Sequence, residues 1–131
     1  ECMVISKEAE DIHGISFKKA NKKGEKSEYI MQRLKNDLKN VSVIVSHSIG
    51  FHIKAIQVEC FRTNVFIDFS NYILIDTMKF HHKLDYPKLK ELSKNIINKS
   101  YKNKKPNYNI TIIKKCFMKL YEDYEKSILA K

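Results

Sequence analysis

Residues 41–46 read VSVIVS and residues 72–76 read YILID. The first is β-branched and nearly all apolar, the composition of a strand covered on both faces, as in a parallel sheet, and the other is a second strand candidate. Between them Ile49, Ile53, Ile56 and Cys60 fall on one stripe, which predicts a helix from about Gly50 to Arg62. A strand, a helix and a second strand in this order give the chain an α/β character. Two strands are too few for a stable parallel sheet, so further strands are expected, upstream of Glu1. The first residue is Glu1 and not Met, as in a processed chain or a piece of something longer.

Outward from this unit the signals are helical. Ser6 can cap a short helix from Lys7 to His13, closed by Gly14. Residues 16–26 (SFKKANKKGEK) are polar, basic and interrupted by Gly24, which predicts a loop. Ser27 is the expected N-cap of a second helix through about Leu38, with Ile30, Leu34 and Leu38 at i+4 spacing and Met31 beside them. Thr63 to Phe69 is ambiguous, and Thr77 to Lys83 reads as a short connecting segment. Pro87 stands near the start of a helix through about Ile97 that turns Leu89, Leu92 and Ile96 inward. Residues 98–108 form a basic, Asn-rich loop, and Asn109 is the expected cap of a long last helix carrying Ile113, Cys116, Phe117, Leu120 and Tyr124. Met31, Met78 and Met118 read as core filler.

A length of 131 residues fits one domain with one core, assigned to residues 1–131. The chain is 43% hydrophobic and 31% charged, an ordinary globular composition, with no apolar run long enough to span a membrane and no visible signal peptide. Cys2, Cys60 and Cys116 are odd in number and far apart, so they are read as reduced and buried, and an intracellular location, cytoplasmic or nuclear, is expected. The formal charge of +10 favours anionic partners, nucleic acid first among them; a lysine-rich solvated surface is the plainer reading.

Several segments together resemble the proofreading-type DEDDh 3′–5′ exonucleases. EAEDIHGIS (Glu8 to Ser16) resembles that family's A-x-x-I-H-G-I-T segment. SHSIGFHIKAIQVEC (Ser46 to Cys60) is similar to its second motif, A-H-N-x-x-F-D followed by an aliphatic helix. LIDTMKF (Leu74 to Phe80), YPKLKELSKNI (Tyr86 to Ile96) and CFMKLYEDY (Cys116 to Tyr124) resemble, in order, its x-I-D-T-x-x-L strand end, the helix after it and the last helix. The resemblance implies a ribonuclease-H-like α/β fold seen here without its first antiparallel strands, which in the family carry an Asp-x-Glu motif.

It also implies a chemistry the residues do not supply. The family's two-metal reaction uses four carboxylates and a general-base histidine, and magnesium favours carboxylate and water oxygens. In this chain the second motif's Asp position is His52, the later His position falls near Lys104 and the last Asp position near Asn109. No catalytic position that can be located is intact, and no protein metal site or resident cofactor is expected. Asp76 matches a family residue that is not a metal ligand.

What remains points to binding. Lys18, Lys19, Lys22 and Lys23 cluster in the first loop; Lys99, Lys102, Lys104 and Lys105 lie in the last, interleaved with Tyr101 and Tyr108. Cations between aromatics suit a single strand, with phosphates on lysine and bases on rings. Lys54, and His13, His47 and Phe51 by their places in the matched motifs, join the candidate nucleic-acid residues. His13 reads equally as the end of a capped helix, His47 as a half-buried, hydrogen-bonded side chain and Phe51 as core packing; His81 and His82 read as a solvated pair. The leading expectation is therefore a catalytically degenerate exonuclease-like domain that binds DNA or RNA, single-stranded by preference. It could equally serve as a structural or accessory part of a replication, transcription or repair assembly, beside other proteins and with no membrane partner. Two alternatives stand beside it. One is an active exonuclease using Mg or Mn, with carboxylates on an upstream segment. The other is a basic helical interaction module, mostly helix and without a parallel sheet.

Overall fold

In the computed structural model, which describes residues 4–79, 86–99 and 106–129, the two apolar stretches pair as parallel strands. β1 is Val43–Ser46 and β2 is Ile73–Asp76, with Val43 opposite Ile73 and Ser46 opposite Asp76. α4 (Ile49–Thr63) makes the crossover. Before this unit come α1 (Lys7–His13), α2 (Phe17–Lys23) and α3 (Ser27–Asp37); after it come α5 (Leu89–Ile97) and α6 (Pro106–Leu129). The fold is mixed α/β and mostly helical, with a small two-stranded parallel sheet among the described residues.

The stripe read on the crossover helix is the one that packs. Ile53, Ile56 and Cys60 lie against a core of Met31, Leu38, Val65, Ile67 and Phe69. On α3 the inward stripe is rotated by one residue from the expected one: Met31 is buried while Ile30 is 42% exposed. Met31, Leu34 and Leu38 then follow i, i+3, i+7 spacing and face α4. The ambiguous stretch after α4 is extended, with Val65, Ile67 and Phe69 buried and Phe66 and Asp68 exposed. It has the alternation of a strand but no ladder, since no strand lies beside it among the described residues. A second core joins α5 to α6 through Leu92, Ile112 and Cys116.

Several expectations need correction. Residues 17–23 form a helix, because Ser16 Oγ accepts a hydrogen bond from the Lys19 N–H and so caps a segment that sequence polarity reads as loop. Ser27 is the first helical residue of α3 and not its cap; Lys26 stands at the cap position without a side-chain bond. α6 begins at Pro106, whose missing N–H is no loss in a first turn, so Asn109 lies inside the helix. Met118 is 46% exposed and Phe51 69% exposed, so neither is core. Nor is the sheet covered on both faces, since Val43, Ile73 and Leu74 are all exposed.

β1 also has an open edge. The carbonyls of Ser42 and Ser46 accept hydrogen bonds from the N–H groups of Ile73 and Thr77 on the β2 side. Backbone direction alternates along a strand, so the N–H and C=O groups of Val43 and Val45 turn the other way, where no strand lies among the described residues.

Leu92 is wholly buried between α5 and α6. Leu92→Ala is expected to lower unfolding stability by about 2–5 kcal/mol, read as a fall in the urea midpoint at unchanged slope.

Candidate functional site

The strand-to-helix turn after β1 is held by one carboxylate. Ser48 adopts φ 64, a left-handed conformation that turns the chain sharply from β1 into α4. Asp76, at the end of β2, accepts from the Ser48 N–H through Oδ1 at 2.9 Å and from the Ile49 N–H through Oδ2 at 3.1 Å. Its Oδ1 also accepts from the Met78 N–H at 3.0 Å. A carboxylate at the positive end of a helix, accepting from three backbone donors, offsets the cost of the strained Ser48.

Beside this turn His47 Nδ1 lies 3.0 Å from Thr77 Oγ1, and Thr77, wholly buried, directs its hydroxyl to the Ser46 carbonyl at 3.4 Å. Which of the pair donates depends on the His47 tautomer, and the ring also donates to the Pro87 backbone carbonyl, which favours the charged form. Burial pushes the His47 pKa below the ordinary 6.5; the charge of Asp76 pulls it back in part, and His52 adds to the fall.

The turn forms one end of a cavity of about 640 Å³ enclosed by β1, α3, α4 and the first turns of α5 and α6. Its wall is largely aliphatic, with Leu38, Ile44, Ile53 and Ile56 from one core and Leu89 and Ile113 from the other side. The polar residues on it are Ser46, His47, His52 and Asn109. Residues 57 apart in sequence, His52 on α4 and Asn109 on α6, thus line one space, and among the described residues no acidic side chain lines it with them. Imidazole, hydroxyl and amide groups are a poor set for a hard divalent cation. Among the described residues no three His, Cys, Asp or Glu side chains are grouped so as to hold a metal ion.

The other sequence candidates are scattered. His13 ends α1, where its Nδ1 accepts from the Ile15 N–H at 3.0 Å before left-handed Gly14. Phe51 and Lys54 lie on the outer side of α4; Phe51 meets His52 edge to face at 5.6 Å. Lys18, Lys19, Lys22 and Lys23 are all exposed on α2, a helix with no buried residue. Tyr108 is exposed in the first turn of α6. Lys102, Lys104 and Lys105, with Tyr101, His81 and His82, lie outside the described residues. Cys116 is buried as a free thiol with its pKa pushed up to about 11, and Cys60 is a half-buried free thiol. Sequence reasoning missed the capping role of Asp76, although an acid directly after an apolar strand was its visible sign. It missed Phe61 and Phe66 as well, both exposed.

No helix among the described residues is long and apolar enough to cross a membrane. Comparison with known proteins found no matching family profile, no similar curated protein and no similar solved structure.

Asp76→Ala leaves three backbone N–H groups without their acceptor and is expected to cost about 3 kcal/mol of stability; Asp76→Asn, which keeps one acceptor oxygen, is expected to cost less. Denaturant titration of the two variants checks the order. His47 has a folded pKa below its unfolded value, so its contribution is complete above about pH 6.5 and is lost as pH falls from there through the folded value. Thermal melts between pH 8 and pH 5 are expected to fall less steeply for His47→Gln.

Proposed function

We propose that the chain is a non-catalytic nucleic-acid-binding domain with a degenerate DEDDh-exonuclease-like architecture, holding single strands without cutting them. One observation carries the reading: His52 and Asn109, two positions where the resemblance places metal-binding carboxylates, line a common cavity on whose wall no described residue is a carboxylate. Imidazole and amide groups do not suit a pair of magnesium ions, which supports a non-catalytic reading.

The charge supports the binding half of the proposal. A net +10 is concentrated in part on α2, where four lysines in seven residues face solvent without a core to serve. Such a helix neutralises phosphates and displaces their counterions, a term that depends on salt and not on sequence. The interaction-module alternative predicts mostly helix and no parallel sheet; the helical content agrees with it and the β1–β2 pair counts against it.

The test is a titration of labelled single-stranded DNA and RNA, with magnesium or manganese present, read for both binding and cleavage. Binding that weakens with salt, with substrate left intact, is the expected result. Replacing Lys18, Lys19, Lys22 and Lys23 together by Gln is expected to reduce the slope of log K against log salt by roughly 3, from about 0.7 per single-strand phosphate contact. Chelator-sensitive cleavage by the purified chain would reject the non-catalytic reading, and absence of salt-sensitive binding would reject the nucleic-acid one.

A further inference from the structure

α4 has two apolar faces, and its core uses one. Ile49, Ile53, Ile56 and Cys60 point inward, while Phe51, Lys54, Val58, Phe61 and Arg62 fall on the opposite side by the same 100° step. Phe61 is 90% exposed and Phe66, just past the helix end, 74%. Burying a phenyl ring is strongly favourable, so two rings held this far into water are a costly surface to keep without a ligand.

Their surroundings indicate what kind of ligand. Phe61 stands between two shallow depressions. The first is lined, among the described residues, by Lys54, Gln57, Val58, Phe61 and Arg62, two cations and no acid. The second has Phe61 and Phe66 on its wall, together with Gln57 and Asn64. Arg62 shares its guanidinium with Glu59 at 2.6 Å, whereas Lys54 has no ion-pair partner among the described residues. A purely apolar partner would leave Lys54 facing a dry interface. A strand of nucleic acid matches both depressions, with a phosphate at the cations and a base against the rings.

We propose that the outer face of α4 is a stacking platform for single-stranded nucleic acid: a base enters the depression shared by Phe61 and Phe66, and the neighbouring phosphate meets Lys54 and Arg62. This inference rests on the nucleic-acid reading above and assigns it a surface separate from the cavity and from the lysines of α2. Charge complementarity selects the occupant over a second copy of this chain, since two such faces would bring Lys54 and Arg62 of each copy together in a chain of net charge +10.

The chain contains no tryptophan, so Phe61→Trp introduces a single indole at the platform. Its fluorescence is expected to be quenched saturably by a single-stranded oligonucleotide, at the concentrations at which anisotropy of the labelled oligonucleotide rises. Phe61→Ala is expected to weaken binding roughly tenfold while Phe61→Trp retains it. Phe61 is too exposed for either change to disturb the core, and far-ultraviolet circular dichroism confirms that each variant is folded. Oligonucleotide binding with an unmoved indole and an unchanged Phe61→Ala affinity would overturn the platform and leave the nucleic-acid reading standing. No binding by any form would overturn both. Quenching that follows protein concentration without oligonucleotide would give the face to a second copy of the chain.

Discussion

The carboxylate of Asp76 is the constraint on which the sheet and its crossover depend. A parallel strand pair gains nothing from a tight hairpin; its register must be fixed by what happens at the strand ends. Here the last residue of β2 reaches across and accepts from the first backbone donors of α4, so the end of one strand is tied to the exit from the other. The bond to the Met78 N–H folds the chain leaving β2 back on the same group. Ser48 keeps its left-handed conformation because its amide is held there. Asp76 is therefore a structural acid, and its presence near the cavity supplies no free carboxylate for chemistry.

That distinction shapes the functional reading. The cavity lies between two cores, one built on α3 and α4 and the other on α5 and α6. Its aliphatic wall and its polar rim of His47, His52, Ser46 and Asn109 make a space that can accept an apolar or neutral group. Among the described residues no carboxylate side chain lines it. Positive charge lies instead on outer surfaces, on α2 and on α4 at Lys54 and Arg62.

The strands, the crossover helix and α5 were legible because period and composition agree there: β-branched runs for β1 and β2, and a clean stripe on α4 that the core uses as read. α2 was hidden because FKKANKK carries no apolar period, and only the Ser16 cap distinguishes it from a loop. The α3 stripe came out one residue off because Ile30 and Met31 are adjacent and equally apolar; packing against α4 chooses Met31. The core reading of Phe51 fails for a similar reason. An aromatic in a motif-like setting reads as core, yet its place on the wheel is opposite the Ile49–Cys60 stripe, and that position decides. That His52 and Asn109 line one cavity was not legible, since nothing in local sequence brings α4 to α6.

The unpaired edge of β1 gives the charge a second meaning. Val43 and Val45 offer a short row of main-chain donors and acceptors beside exposed Ile73 and Leu74, the kind of template on which chains add to one another. A molecule of net charge +10 keeps its copies apart by long-range repulsion. At about 1 M salt that repulsion reaches only ~3 Å, less than the spacing between paired strands. The lysines thus act as a colloidal guard on the sheet, and an ionic strength high enough to screen them lowers that guard.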